Sequence, residues 1–306
     1  MTTKPAALKP AAVGRASNLL ARQNESAHLE RLRAYSYRYK VAQRWRTLRL
    51  LGTLVFAAIA PVIAWRADKG VSDVLAAVAA GWLVLGRTAL EQLERRAYLR
   101  AVRQQELYDV KLFGLPWNAT LCGPEPVRSD ITSDAGHPPM NARRNKRYLD
   151  WFTVDLSGVR HPVDVLICQH QALAWSRKDR QAYAAFLIVS GLLWLLLGLT
   201  VAVQLHLTLA EYLVALFLPT APAMLDTGEL GSSFLKSAGV GEGVERRVEV
   251  AVAAGRGDAT AVNLQDCRSF QDAVFNNRAQ SPRVPHWFYR LRRRRSNALT
   301  RAAAGS

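Results

Sequence analysis

Cysteine, glycine and proline are all scarce in this sequence of 306 residues, which contains three cysteines, 19 glycines and 13 prolines. Three cysteines exclude a disulfide scaffold, and so few glycines and prolines exclude a collagen-like repeat and disorder over most of the chain. Acidic residues are also few, 24 against 41 lysines and arginines, so the formal net charge is +17. Half of the residues are nevertheless hydrophobic. Composition alone therefore does not identify the class of protein, and the positions of the charges along the chain have to be considered.

Long uncharged runs alternate with arginine-rich stretches, which is typical of a membrane protein. The run 181–205 is uncharged throughout, and a transmembrane helix needs about 20 such residues. The shorter run 50–65 is long enough to span when Leu48 and a snorkelling Arg49 extend it. Two further segments, 71–92 and 207–225, carry charges only near their ends, so each is interpreted as a span, with a re-entrant or interfacial helix as the alternative.

The distribution of basic residues predicts the orientation of these segments. Residues 1–49 hold 11 lysines or arginines against two acids, and residues 226–306 hold 13 against eight. The turns between paired segments hold almost none. The positive-inside rule then places both termini in the cytoplasm. The predicted fold is a mainly α membrane protein with two transmembrane helical hairpins, four helices in all, together with cytoplasmic helical stalks and a small mixed α/β cytoplasmic region.

The predicted domain organisation follows from these segments. Residues 24–48 repeat apolar positions every three or four residues, which predicts a helix that enters the first span directly. The runs Trp151 to Leu156 and Val163 to Cys168 are β-like. Five parts are predicted: a disordered basic tail (1–22), a cytoplasmic helix with the first hairpin (23–105, spans at 48–66 and 71–92), the mixed region (106–180), the second hairpin (181–226, spans at 182–205 and 207–225) and a C-terminal helical region with a basic tail (227–306).

Signatures of enzymes are missing from the sequence. There is no Walker A loop, no HExxH, no GxSxG and no CxxC pair, and these are the spacings that phosphate transfer, zinc hydrolysis and nucleophilic catalysis use. We therefore expect no catalytic residues, no metal and no cofactor.

Near the C-terminus, aromatic residues precede a run of arginines. Such a sequence suits contact with an anionic membrane surface or with phosphates. The predicted contact residues are Trp287, Arg290, Arg292, Arg293, Arg294 and Arg295. Binding to a nucleic acid is an alternative, but the run lacks the signature of a dedicated nucleic-acid module.

Several short motifs give the sequence a resemblance to a known family. They are Phe113 to Asn118 (FGLPWN), Trp151 with Val154-Asp155, Cys168-Gln169 followed by Leu173 to Trp175, Leu264 to Asp266, Phe275, Arg278, and Pro285 with Trp287 to Tyr289. In this order around two hairpins the chain resembles the SMODS-associated four-transmembrane effectors of bacterial anti-phage systems that use cyclic oligonucleotide signals. The resemblance runs from about residue 23 to residue 295.

The resemblance implies an effector of the bacterial inner membrane that oligomerises or opens as a pore when a nucleotide messenger appears. Its functional partner would be a SMODS-type nucleotidyltransferase, acting through its product, and its active form a homo-oligomer. A non-pore membrane scaffold that binds a cytoplasmic partner through the central region is the alternative.

Two groups of residues are candidates for this function. A cyclic oligonucleotide carries phosphates and flat bases, which suits arginines beside aromatic rings. The candidate ligand-binding residues are Arg143, Arg144, Lys146, Arg147, Tyr148 and Trp151. Asp73 and Glu211 fall near the outer turns and, repeated around a ring of chains, would favour cations at a pore mouth. Solvated charges at the headgroup boundary, balanced by neighbouring cations, are the alternative for this pair.

Overall fold

The computed structural model of the chain describes residues 18–66, 69–136, 146–282, 284–285, 287–288 and 291, of which 60–62, 64–66, 69 and 259 are described in their backbone only. These parts are mostly helical and contain no β-strand. The α-helices are α1 (Leu19–Arg22), α2 (Ser26–Arg66), α3 (Lys69–Leu85), α4 (Glu91–Phe113), α5 (Ala119–Cys122), α6 (Arg128–Ala135), α7 (Val163–Gln204), α8 (Leu209–Tyr212), α9 (Leu218–Gly257) and α10 (Leu264–Ala279). Two π-helical turns, Gly86–Leu90 and Leu213–Phe217, connect α3 to α4 and α8 to α9.

The chain divides into two compact units. Unit 1 contains residues 1–40, 98–177 and 239–280, and unit 2 contains residues 41–97, 178–238 and 281–306. Unit 1 has a large hydrophobic core to which α1, α2, α4, α7, α9 and α10 contribute. Among the described residues of unit 2, the buried cluster is small and most large apolar side chains are exposed.

The predicted apolar face of the N-terminal helix is present in α2. Leu32, Tyr35 and Tyr39 are buried at the predicted spacing, and the rings of Tyr35 and Tyr108 lie 5.7 Å apart at a steep angle. Residues 1–17 of the predicted basic tail lie outside the described residues. The last residues of that tail form α1, and Leu19 is buried in the core of unit 1 because its side chain is apolar.

Helix α4 extends eight residues beyond the predicted end near residue 105, to Phe113. It ends there because Gly114 adopts a left-handed conformation with φ of 71°. The Leu115 N–H then donates to the Val110 carbonyl at 2.9 Å, which satisfies one of the carbonyls left open at the helix end.

The prediction of a strand at Val163 to Cys168 is wrong, because these residues form the first turns of α7. Asp164 lies in the first turn of the helix, and an acidic residue is favourable there. Val165, Leu166 and Cys168 have no exposed surface. A helix buried on all sides and a buried strand both appear as continuous apolar runs, so the pattern could not separate them.

The second β-like run, Trp151 to Leu156, is extended but belongs to no strand. The side chain of Gln23 takes the place of a neighbouring strand: its amide donates to the Phe152 carbonyl at 3.2 Å, and its oxygen accepts from the Phe152 N–H at 2.8 Å. Asn24 and Asp150 form a similar pair beside it, at 2.8 and 3.0 Å. The predicted mixed α/β region is therefore helix and loop throughout its described part.

A buried polar network holds α4 and α10 together inside unit 1. Arg268 donates to Glu106 at 2.6 Å and to Asp272 at 2.8 Å, and Glu106 has no exposed surface. Gln271 donates to Glu106 at 2.8 Å, while Arg278 forms an ion pair with Asp109. The buried acids Glu106 and Asp109 thus each have a cation as partner although water is excluded from them.

Three helical stretches are long and apolar enough to cross a membrane: Gly70–Phe113, Val163–Gln204 and Leu209–Gly257. In α7, successive residues such as Leu192 and Leu193 are 55% and 61% exposed, which is the expected state of a helix whose neighbours are lipid. The helix has 42 residues, whereas the hydrocarbon core requires only about 20.

Glycines allow close helix packing within unit 2. A Cβ on Gly52 of α2 would lie 2.0 Å from the Trp82 ring of α3, so only glycine fits at this contact. In the second half of the unit, a Cβ on Gly231 would lie 3.7 Å from Ile188. Helix α2 thus packs on α3, and α9 packs on α7.

We predict that Arg268→Ala lowers the free energy of unfolding by about 3–5 kcal/mol, because it leaves the buried Glu106 carboxylate without its cation. Denaturant unfolding of the purified protein in detergent would measure the loss. Arg246→Ala is the matched control, since Arg246 is 73% exposed in an i,i+4 pair with Glu242 and should change stability by less than about 0.5 kcal/mol. Equal effects of the two substitutions would contradict the assignment.

We also predict that the thiols of the folded protein resist alkylation. All three cysteines are buried and unpaired, and burial raises the pKa of the Cys122 and Cys267 thiols from 9.0 to about 12. At pH 8 this lowers their thiolate fraction on the order of 10³-fold. The unfolded thiols release protons above pH 9 while the folded ones keep them, so stability should fall between pH 9 and about 12. The check is maleimide labelling with and without denaturant, with Ser129→Cys as an exposed control; rapid labelling of native Cys122 or Cys267 would contradict the prediction.

Candidate functional site: a charged cluster among apolar helices

Seven charged side chains come together in unit 2, next to the apolar stretches of α2, α3 and α9. We call them the charged cluster. They are drawn from α2, from the first π-helical turn with α4, and from α9: Arg46, Arg49, Arg87, Glu91, Glu94, Asp226 and Glu229. With three cations and four anions the cluster is nearly neutral.

Arg87 is the connection to α9. Its Nη2 lies 2.6 Å from Oδ1 of Asp226, and its Nη1 lies 3.2 Å from Oε2 of Glu229. The Asp226 side chain is only 8% exposed, whereas that of Arg87 is 47% exposed. Since Asp226 and Glu229 are three residues apart, they present their carboxylates on one face of α9.

Arg46 and Arg49 connect α2 to α4. Arg46 donates from Nε to Oε1 of Glu94 at 2.6 Å. The guanidinium of Arg49 lies between two acids, 3.6 Å from Glu94 and 3.7 Å from Glu91. Glu94 is buried, so its ion pairs form where the dielectric constant is low.

The helical backbone is irregular at the cluster and again at the start of α9. Arg87 belongs to the π-helical turn Gly86–Leu90, and π-helical turns occur frequently at functional sites. The second such turn, Leu213–Phe217, directly precedes Pro219 and Pro222. Proline has no N–H to donate along the helix, so the regular hydrogen-bond pattern cannot continue across this point.

This arrangement can hold helices together without a covalent bond, and it can also release them. Ionised side chains are costly in an apolar environment unless they are paired. A cluster that joins α2, α4 and α9 therefore favours the arrangement in which each charge has a partner of opposite sign. Separating α9 from the others would leave Asp226 and Arg87 without partners, so it requires that water or other charges replace them.

The two residues predicted for a pore mouth lie at helix starts in unit 2. Asp73 is exposed near the beginning of α3. Glu211 lies in α8, where its carboxylate accepts from the Thr208 N–H at 2.7 Å while the Thr208 hydroxyl accepts from the Glu211 N–H at 3.3 Å. This reciprocal capping box gives Glu211 a local role in starting the helix. Its predicted role at a pore mouth stays a prediction.

The predicted ligand-binding residues are divided between surface and core. Arg143 and Arg144 lie outside the described residues, and Lys146 and Arg147 are exposed. Tyr148 and Trp151, together with the ring of Tyr35 that lies 6.4 Å from Trp151, pack at the core of unit 1. The aromatic side chains of this group therefore contribute to folding, and ligand binding by the group stays a prediction.

The C-terminal contact residues are described only at Trp287, and Arg290 and residues 292–295 lie outside the described residues. Trp287 is 47% exposed and belongs to an aromatic cluster in unit 2. Its ring lies 5.7 Å from Phe186 and 6.4 Å from Tyr183. An exposed tryptophan beside aromatic neighbours is typical of the membrane interface.

Several motif residues that carry the family resemblance cap helices or connect them within unit 1. Asn118 caps α5 by accepting from the Leu121 N–H at 3.2 Å and donates to Asp272 at 3.1 Å. Gln169 donates to the Cys267 carbonyl at 2.9 Å. Asp266 completes a capping box with Asn263 at the start of α10. These positions therefore specify the fold of unit 1.

The sequence did not reveal Asp226, Glu229 or Glu94 as part of a site. Arg49 and Arg87 were noticed only as charges near the ends of predicted spans. One signal was available: each of the predicted spans 48–66, 71–92 and 207–225 has charged residues at, or directly after, the end assigned to the cytoplasm. Charges that lie at the same depth on neighbouring helices can pair, but only the structure shows which ones do.

Comparison with known proteins gives consistent results. The model of the SMODS-associating 4TM effector domain matches residues 17–306. A protein of Bacillus cereus strain VD146, named "Probable CBASS effector molecule", is 23% identical over 293 residues, which cover 91% of this chain and 94% of that protein. No solved structure matches the chain significantly.

We predict that Arg87 and Asp226 are energetically coupled. Arg87→Asp and Asp226→Arg should each lower the thermal unfolding temperature in nanodiscs, because each places two like charges together. The double exchange should recover at least half of the loss, with a coupling of about 0.5–3 kcal/mol. Lys236→Gln is the control: it removes an exposed charge from α9 outside the charged cluster, so it should have little effect. Strictly additive effects of the two exchanges would contradict the pairing.

Proposed function

The chain belongs to the SMODS-associating 4TM effector family, and from this premise we propose that it opens the bacterial inner membrane in response to a nucleotide signal during anti-phage defence. The family resemblance predicted from the motifs is confirmed by the family match. The observation that carries the proposal is the charged cluster, because it provides a reversible connection among helices that are long and apolar enough to cross a membrane.

In this proposal the chain spans the membrane four times, with both termini in the cytoplasm. The end of α2 provides the additional span. Its apolar side chains are exposed where lipid would surround them, as Leu51 at 55% and Val55 at 50% illustrate. The contact between Gly52 and Trp82 supports a hairpin of α2 and α3. Trp287 and the arginines that follow it would contact the anionic headgroups.

The pore is formed by several chains. Four helices from one chain cannot enclose a wide channel and satisfy their polar groups at once. Residues of α7 such as Leu196 and Leu197, 59% and 56% exposed, offer apolar surface to lipid or to a second copy. In the closed state the charged cluster holds α9 against α2 and α4. In the open state a ring of Asp73 and Glu211 residues at the mouth would favour cations.

The signal is a cyclic oligonucleotide from a SMODS-type nucleotidyltransferase. This step depends on family membership and on the similarity to the protein named as a CBASS effector. Described parts of the chain offer no group of histidine, cysteine and acidic residues that could hold a metal. The activity proposed for the chain is a change of helix packing in the membrane that ligand binding induces.

The test is an ion-flux measurement with purified protein in liposomes. We expect potassium flux and dye release to rise at least tenfold when a mixture of cyclic di- and trinucleotides is added, and to stay at the level of empty vesicles without it. Intact vesicles with every nucleotide, at confirmed insertion, would contradict the pore and favour the membrane scaffold.

The same vesicles test the pore mouth with a matched variant. Glu211→Gln keeps the capping box, because glutamine can also accept from the N-cap N–H, while it removes the charge. In combination with Asp73→Asn it should reduce the preference for cations over anions in reversal-potential measurements. An unchanged preference would exclude these two residues from the mouth without excluding the pore.

A further inference from the structure

A cavity of about 260 Å³ lies in unit 1, apart from the charged cluster. Its walls come from α2, from α4 and from the start of α6. Leu107 and Ile131 make part of it apolar, and three cations line it: Arg31, Lys111 and Arg128. An apolar cleft with a few convergent charged groups is the usual form of a small-molecule site.

Two of these cations form no direct ion pair within the described residues. Neither Arg31 nor Arg128 lies within ion-pair distance of a carboxylate there, whereas the interior arginines Arg268 and Arg278 do. Burial lowers the pKa of the Arg31 guanidinium; Glu30 and Glu125 oppose this shift, and Arg128 adds to it. Both guanidiniums line the cavity, and an anion between them would weaken their mutual repulsion.

The two acids that line the cavity, Glu30 and Glu125, each have a partner other than the two arginines. Glu30 accepts from the Thr132 hydroxyl at 2.8 Å. Glu125 lies 3.1 Å from the Lys111 ammonium, but both side chains are more than 40% exposed. Such surface pairs contribute at most about 1 kcal/mol, so an incoming phosphate could replace Glu125 as the partner of Lys111.

The start of α6 adds backbone donors beside the arginines. Arg128 is the first residue of this eight-residue helix, and Val127 before it provides no side-chain cap. The N–H groups of a first turn point away from the helix and favour an anion. The cavity therefore combines two guanidinium groups and an ammonium group with the start of a helix beside them, where the Asp130 carboxylate of the first turn counts against an anion.

We propose that this cavity binds a phosphodiester group of the nucleotide messenger. The identity of the ligand rests on the proposed function, whereas its phosphate chemistry is inferred from the cations that line the cavity. A volume of about 260 Å³ is below the range of about 300–1,000 Å³ typical of whole-ligand pockets. One phosphate with its sugar would enter the cavity, and the rest of the ligand would lie over the exposed side chains of Lys111 and Arg128.

The experiment measures binding to the full-length protein in nanodiscs by titration calorimetry, with inorganic pyrophosphate and a cyclic trinucleotide as probes. We expect Arg31→Gln with Arg128→Gln to weaken pyrophosphate binding roughly 10- to 100-fold, because two charge-assisted contacts are lost. The control is Arg100→Gln with Arg103→Gln, which removes the same charge from exposed positions of α4 outside the cavity. If wild type and both double variants bind pyrophosphate equally, the proposal is overturned.

Three further results separate the sources of phosphate and the two proposals. If phosphatidylglycerol in the nanodisc competes with pyrophosphate only when Arg31 and Arg128 are present, the site takes a lipid headgroup and the nucleotide assignment fails. If the Arg31/Arg128 variant loses trinucleotide binding, the nucleotide assignment is supported, even if no ion flux is seen and the pore proposal is wrong. If the same variant still shows ion flux at an unchanged ligand concentration, the pore proposal stands and this cavity is not the messenger site.

Discussion

Glu106 has no contact with water, and the fold of unit 1 depends on the cation that makes this burial tolerable. Arg268 donates to Glu106 from α10 and also to the Pro116 carbonyl at 3.1 Å. One guanidinium thus fixes α10 against α4 and against the loop that follows α4. An uncompensated carboxylate at this depth costs several kcal/mol. The surrounding apolar core can close only in the register that brings Arg268 to it, and Asp109 with Arg278 adds the same restriction three residues further along α4.

The same electrostatic constraint acts in unit 2, but there it has a different consequence. In unit 1 the ion pairs lie inside a core of more than two dozen buried apolar residues, so packing and charge favour one arrangement together. In unit 2 the buried cluster is small, and most apolar side chains already have their preferred surroundings once lipid covers them. Helix association in lipid has little hydrophobic driving force. The charged cluster therefore contributes a larger share of what keeps α2, α4 and α9 together.

The elements that the sequence predicted well are those with a strong local signal. The uncharged run 181–205 and the apolar face of Leu32, Tyr35 and Tyr39 correspond to α7 and α2, because length and periodicity are properties of one segment. The strand prediction at Val163 to Cys168 was wrong because full burial removes the periodicity that distinguishes a helix. Gln23 could not be recognised as the partner of Phe152, since a side chain that satisfies backbone groups 129 residues away leaves no local pattern.

The candidate site was less predictable than the fold for a related reason. Arg87 is an ordinary charge near the end of an apolar segment until Asp226 and Glu229 are brought beside it. Likewise, Arg31 and Arg128 are unremarkable in a sequence with 41 basic residues. Their significance is that they line a cavity and form no direct ion pair within the described residues, and this becomes visible only when the neighbours of each are known. Many basic residues are needed for membrane topology, so the few that contribute to a site do not stand out in the sequence.

An ion-pair connection between apolar helices would suit the proposed pore, which has to stay closed until a signal arrives. The attraction between opposite charges is strong where water is absent and weakens many-fold when water enters. Asp226 is the buried member of the pair, with a side chain only 8% exposed, whereas Arg87 is already 47% exposed. In the proposed opening, a small separation of α9 from α4 would admit water to Asp226, weaken the pair and favour further separation. Apolar packing alone, which loses its contacts gradually with distance, would open less sharply.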